Sequence, residues 1–166
     1  MTADDILDAL AAAYGRGWAV LREAWAIDAL AVPLESGHAV RGVAYPWHAF
    51  EVKVSRDDFA AELERYPEKM KRAVEFANTT SFIVPQGLLR PHEVAARRPR
   101  MHGGPGRRLW VPPDIGLYEV VDSPTGPQVM PLLFPVVREG RRWLSAGEEA
   151  QLARFLVQEG ERRGRA

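Results

Sequence analysis

Glu51 and Lys53 stand two residues apart in the run His48-Ala49-Phe50-Glu51-Val52-Lys53-Val54. The run alternates, with Phe50, Val52 and Val54 at one parity and Glu51, Lys53 and Ser55 at the other. It therefore predicts a β-strand whose acid and base project from the same face. Asp28 heads an earlier apolar run, Ile27 to Leu34, that reads as the preceding strand. Neighbouring strands lie roughly 5 Å apart, so a carboxylate on each can converge on one hard cation, which takes oxygen ligands. Asp28 and Glu51 are thus the candidate holders of Mg2+. A cation there would lower the pKa of a bound water and stabilise the charge that builds on a phosphate under attack. Lys53 is placed to orient that water or to pair with the pentavalent phosphorus transition state.

Taken alone, an E-x-K tripeptide more often marks an exposed strand face with a weak surface ion pair. Three features favour chemistry. The tripeptide falls on a predicted strand, an acid heads the strand before it, and Lys53 is one of only three lysines, at 53, 69 and 71, among 22 basic residues. An ammonium and a guanidinium are not interchangeable at a tight site, so a lysine in an arginine-rich chain is informative.

Composition narrows the field. With 166 residues, 46% of them hydrophobic, the chain can bury one sizeable core and is too short for two independent ones. The absence of Cys excludes disulfide frameworks, thiolate zinc sites and cysteine nucleophiles. His38, His48, His92 and His102 are widely separated and read as scattered surface or loop imidazoles rather than a ligand set. The start, Met1 to Asp8, is acidic and lacks a basic segment followed by an apolar block, and no stretch approaches bilayer-spanning length. The expectation is a soluble, cytoplasmic protein with no membrane partner. Net charge is zero, so any attraction for nucleic acid must come from local clusters. Arg90, Arg97, Arg98, Arg100, Arg107 and Arg108 form one, in a segment that Gly103, Gly104 and Gly106 leave free to mould itself. They are the candidate contacts to a DNA backbone, positioning it without reading sequence. Tyr45, Trp47 and Trp110 flank these regions, where core or rim packing is the commoner fate of a Trp than base stacking.

The elements that must position these residues follow from periodicity. Asp4 to Tyr14 is a helix with Ile6, Leu7, Leu10, Ala11 and Tyr14 on one face, stopped by Gly15 and Gly17. Trp18 to Glu23 and Ile27 to Leu34 are strands broken near Ala24 to Ala26, and His48 to Val54 is a third. Ser55 with Asp58 has the spacing of a capping box. The helix it opens carries Phe59, Leu63, Tyr66, Met70, Val74 and Ala77 at steps of three and four, and Pro67 predicts two helical pieces meeting at Tyr66-Pro67. Thr79 to Val84 is a fourth strand, after which the core is expected to be complete by about Pro85. Arg90 to Pro113 reads as a long loop, Ile115 to Val121 as a strand, and Val129 to Val137 as an edge strand or arm because of Pro131 and Pro135. Ser145 and Glu148 form another capping box for a helix to about Gln158, followed by a fraying basic tail at Arg162, Arg163 and Arg165.

Ile27-Asp28-Ala29-Leu30-Ala31-Val32, Phe50-Glu51-Val52-Lys53-Val54-Ser55-Arg56-Asp57-Asp58-Phe59, Pro67-Glu68-Lys69 and Phe82-Ile83-Val84-Pro85, taken in order, resemble the PD-(D/E)XK (restriction-endonuclease-like) nuclease superfamily. The likeness is to its branch of small DNA-repair and phage-associated proteins. It spans roughly Asp4 to Val121, and Glu51 to Phe59 is its most specific part. Ile27 stands where the family name has Pro. The resemblance implies an α/β fold with an α-β-β-β-α-β core, a central mixed sheet flanked by helices, in a nuclease-like domain over residues 1–121. A C-terminal arm and helix, residues 122–166, would pack on that domain. It also implies Mg2+ or Mn2+ dependence and hydrolysis of DNA phosphodiesters. Asp28 and Glu51 would be metal ligands, the Val52 carbonyl a further ligand, Lys53 the catalytic lysine, and Lys69 a second lysine reaching the scissile phosphate. Relatives often add a helical Glu, for which this chain offers only Asp4, Asp5 and Asp8, or Glu23 on a strand. Partners would be DNA and either a second copy of the chain or a larger DNA-processing complex. Two rivals share the fold: a catalytically idle DNA-holding subunit, and a structural adaptor that pairs through its Val129 to Val137 arm.

Overall fold

The computed structural model describes residues 1–34, 39–40, 43–44, 46–89, 94–95, 109–138 and 144–165. Helix α1 (Ala3–Tyr14) leads into strands β1 (Trp18–Ala24), β2 (Ile27–Pro33) and β3 (His48–Val52). Helix α2 (Arg56–Phe76) and strand β4 (Thr79–Pro85) follow, then β5 (Ile115–Val121), β6 (Gln128–Leu133) and helix α3 (Ala146–Arg163). The six strands form one mixed sheet in which each lies beside its chain neighbour. The β1–β2, β2–β3 and β5–β6 pairs are antiparallel, and the β3–β4 and β4–β5 pairs are parallel. Between β2 and β3 a separate two-stranded antiparallel ladder, Ala39–Val40 with Val43–Ala44, is inserted. No helix among the described residues is long and apolar enough to cross a membrane.

The central strands are buried on both faces: Ala49, Phe50 and Val52 of β3 and Phe82, Ile83 and Val84 of β4 lie in the core, beside the buried polar Glu51, Thr79, Thr80 and Ser81. On one face Ile6, Leu7 and Leu10 of α1 pack on Val20, Ala29, Ala31, Phe50, Val52 and Ile83. On the other face, Phe76 and Ala73 of α2 meet Leu21, Leu30 and Ala49, with Leu152 and Phe155 of α3 alongside. A third cluster joins Phe59 and Met70 of α2 to Phe82, Val84, Ile115 and Leu117. The core is therefore not complete at Pro85, because β5 supplies Ile115 and Leu117 to it. Gly116 between them has no room for a side chain: a Cβ there would press on the Ser81 hydroxyl and stand 2.8 Å from Cδ of Pro135.

Three local expectations are corrected, and the break expected near Ala24 to Ala26 takes a definite form. Helix α2 runs through Pro67 as one element instead of two. A proline removes one backbone hydrogen bond, but Phe59 on one side and Met70, Ala73 and Phe76 on the other are all buried, and this tertiary packing holds the helix together across it. The β1–β2 connection is a two-residue hairpin, Trp25-Ala26, with both residues at positive φ (53° and 63°). Such turns favour Gly or Asn. Here Trp25 offsets the strain by stacking on Phe76, with 4.7 Å between ring centroids, and by donating its indole N–H to Gln151 of α3 at 2.7 Å. The segment read as a long loop contains a short parallel ladder, Val94–Ala95 with Leu109–Trp110. Finally, α3 does not fray at Gln158. It continues to Arg163 because Glu159, buried, accepts hydrogen bonds from Arg162 and Arg163, and Arg163 also donates to the Trp18 carbonyl.

Strand β6 lies at the sheet edge, as expected from Pro131, with a register shift between Pro131 and Leu133. The chain after it is tied back by Asn78, whose Nδ2 donates to the Arg138 carbonyl at 2.9 Å while its Oδ1 accepts from the Trp47 N–H at 2.9 Å.

Candidate functional site

Strand β3 ends at Val52. Its pairing with β4 continues one residue further, because Lys53 N–H donates to the Ile83 carbonyl at 3.0 Å. The backbone at Lys53 is thereby fixed to the centre of the sheet. The parity expected from the sequence holds to Val52: Phe50 and Val52 join the core under α1, while Glu51 projects to the opposite face. Val54 departs from it. The strand has ended there, and Val54 is exposed instead of core-facing.

Helix α2 starts over this end of β3. The Ser55 hydroxyl accepts the Asp58 N–H at 3.1 Å and caps the helix. Asp58 and Glu62, four residues apart, share one side of its first turns. Both address the same ammonium: Lys53 Nζ lies 3.5 Å from Glu62 Oε2, 3.6 Å from Glu51 Oε2 and 3.9 Å from Asp58 Oδ2. Glu51 is 1% exposed, Lys53 3% and Glu62 5%, whereas the Asp58 side chain is 56% exposed and marks the solvent side. The surface ion pair weighed as the bland alternative is thus excluded by burial. Among the described residues, three carboxylates lie 3.5–3.9 Å from this one ammonium.

Asp28 approaches from the neighbouring strand. The last ladder pair between β2 and β3 is Ala29 with Phe50, and one more step in that register brings Asp28 beside Glu51. There the backbone ladder is replaced by a side chain, since Asp28 Oδ2 accepts the Val52 N–H at 2.9 Å. Asp28, Glu51, Val52 and Lys53 are therefore neighbours at one corner of the sheet. The chemistry of this donor set fits a hard divalent cation of the Mg2+ type, which commonly takes one or two carboxylates and completes its shell with water. It does not fit an all-protein cage. No group of three or more His, Asp or Glu residues is placed to hold a metal among the described residues.

None of the four acids considered as a further ligand joins the corner: Asp4 pairs with Arg22 and Asp5 accepts the Thr2 N–H at the start of α1. Asp8 pairs with Arg22 and Arg162 on the outer surface of α1, and Glu23 sits at the end of the β1–β2 hairpin with a positive φ of 53°. The residues that sequence reasoning missed are Glu62 and Asp58. Glu62 carried a readable signal, a charged residue three positions after Phe59 and beside Leu63, within the apolar stripe of the helix. The side chain of Lys69 lies outside the described residues. So do Arg90, Arg97, Arg98, Arg100, Arg107 and Arg108, together with Tyr45 and the side chain of Trp110. Trp47 is buried, its ring stacked parallel to that of Trp25.

His48 at the start of β3 is a further correction, because it is neither a surface nor a loop imidazole. It packs among Tyr14 and Trp18, its Nδ1 hydrogen-bonds the Tyr14 hydroxyl, and burial pushes its pKa down to about 4. It is a half-buried group at the far end of β3 from Lys53. His38, His92 and His102 lie outside the described residues.

No protein-family model, curated protein or solved structure matches this chain.

Proposed function

We propose that this chain is a metal-dependent DNA nuclease of restriction-endonuclease-like architecture, hydrolysing phosphodiester bonds with Mg2+ or Mn2+. By resemblance its setting is cytoplasmic DNA repair or phage-related DNA processing. One observation carries the reading: Lys53 is buried at the end of a central strand among carboxylates of β3 and α2, with Asp28 brought alongside from the next strand. A buried ion group costs desolvation that a hydrophobic trio would avoid, so it points to function more than to stability.

In this reading Asp28 and Glu51 hold the cation, with the Val52 carbonyl as a further donor. When bound, the cation supplies Lewis acidity toward a phosphate oxygen and an attacking water. Asp28 is already oriented by the Val52 N–H. Lys53 offers its ammonium to the charge that accumulates on the phosphate, and Lys69 extends that role from α2. Arg90, Arg97, Arg98, Arg100, Arg107 and Arg108 contact the DNA backbone, which makes binding weaken with salt.

The test is cleavage of labelled single-stranded and duplex DNA by the purified protein with Mg2+ or Mn2+, beside Glu51→Ala, Lys53→Ala and Asp28→Asn. The last variant keeps an acceptor for the Val52 N–H while removing the charge. Metal-dependent cutting is expected, with a loss on the order of 100-fold or more in each variant. DNA binding without cutting by the wild type would favour an idle DNA-holding subunit. A protein that neither binds nor cuts would be the adaptor.

A further inference from the structure

Lys53 does not sit against one acid. It stands almost midway between two buried ones, Glu51 on β3 at 3.6 Å and Glu62 on α2 at 3.5 Å, with the more exposed Asp58 at 3.9 Å on the solvent side. Glu51 belongs to the corner shared with Asp28, whereas Glu62 and Asp58 belong to the helix that covers it. An ammonium and a divalent cation cannot share Glu51 closely, because two positive charges a few ångströms apart in a poorly solvated site repel strongly. The lysine stem is flexible and its charge compact, so it can move between acceptors on one side of the strand.

We propose that Lys53 is the resident counter-cation of Glu51 and that Glu62, assisted by Asp58, is the positioning residue that receives it when Glu51 takes a divalent cation. The inference rests on the nuclease reading of the same corner and adds to it a role for α2. Glu62 sets metal affinity through Lys53 rather than by touching the metal. Without Glu62, the ammonium has no second buried carboxylate to move to, stays on Glu51 and competes with the metal.

The experiment is Mn2+ binding, read by electron paramagnetic resonance and calorimetry, for wild type, Glu62→Gln, Lys53→Met and the double variant, each checked for folding by circular dichroism. Expected is binding weakened about tenfold by Glu62→Gln in the wild-type background and by less than about twofold in the Lys53→Met background. Equal losses in both backgrounds would show that Glu62 acts on the metal directly, and no loss in either would show that it does not act at all. Either result overturns the proposal. Should the Lys53 variants not fold, the wild type decides. With only three lysines in the chain, a lysine-labelled NMR spectrum resolves the Lys53 side chain, whose signals are expected to move on Mg2+ addition. Metal binding that leaves them unmoved overturns the hand-over. A wild type that binds no Mn2+ instead removes the nuclease reading itself, a separate failure.

Discussion

Two ionic groups in this molecule are built on opposite plans. Where α1, β1 and α3 meet, Arg22, Arg162 and Arg163 face Asp4, Asp8 and Glu159, so the formal charges balance. The Glu159 contacts are short, 2.8 and 2.9 Å, in the range of charge-assisted hydrogen bonds. At the end of β3 one lysine faces three acids at 3.5 to 3.9 Å, at or beyond the outer edge of hydrogen-bond distance. The first group is a joint, and it fastens the last helix to the first strand. The second sets one ammonium among three carboxylates, two of them buried, at longer distances, an arrangement suited to accepting another cation. The difference is one of distance and geometry, since both groups include a glutamate about 5% exposed or less.

Removing the ammonium from the group at the end of β3 is expected to have the largest effect. Lys53→Met leaves Glu51 and Glu62 buried without their ammonium and should lower unfolding free energy by about 3–5 kcal/mol, measured by urea titration in chelator. Divalent cations should restore part of that loss. A loss below about 1 kcal/mol would mean that the site is wetter than its burial indicates and would erase the contrast.

Within the joint, Glu159→Gln should cost about 2 kcal/mol at neutral pH, the scale of hydrogen bonds to a charged partner reduced for the partial exposure of the arginines. The cost should depend on pH. Burial alone would raise the Glu159 pKa, but the hydrogen bonds and charges of Arg162 and Arg163 outweigh it, and the folded value lies below the ordinary glutamate range. Its stabilisation is therefore fully present above the unfolded-state pKa and is lost as pH falls through the folded one. Urea titrations of wild type and variant should differ by a constant amount from neutral pH down to the glutamate range and converge below it. Divergence on acidification would contradict the assignment.

The smallest effect belongs to the outermost pair. Arg165 reaches Glu161 at 3.6 Å with both side chains mostly exposed, so Arg165→Ala should change stability by less than about 0.5 kcal/mol. A larger loss would show that the joint extends to the chain end and is not centred on Glu159.

Local chemistry and periodicity in the sequence settled most of the framework: the helix at Asp4 to Tyr14, the strands around Asp28 and Glu51, the Ser55 and Ser145 caps, the edge placement of β6, and the shared face of Glu51 and Lys53. Each depends on neighbours within a few residues, where steric preference and alternation act directly. Tertiary structure decided the rest. Pro67 stays inside one helix because buried residues on both sides hold it, a fact that no local preference for breaking can show. Trp25-Ala26 adopts a left-handed turn because distant aromatic rings pack on it. Arg162 and Arg163 became structural rather than frayed once Glu159, Asp8 and the Trp18 carbonyl were brought to them. The candidate corner divides the same way. That Glu51 and Lys53 share a face follows from a period of two, but the burial of Lys53 against Glu62 depends on where α2 lies over the sheet, and only long-range packing fixes the crossing of a helix over a strand.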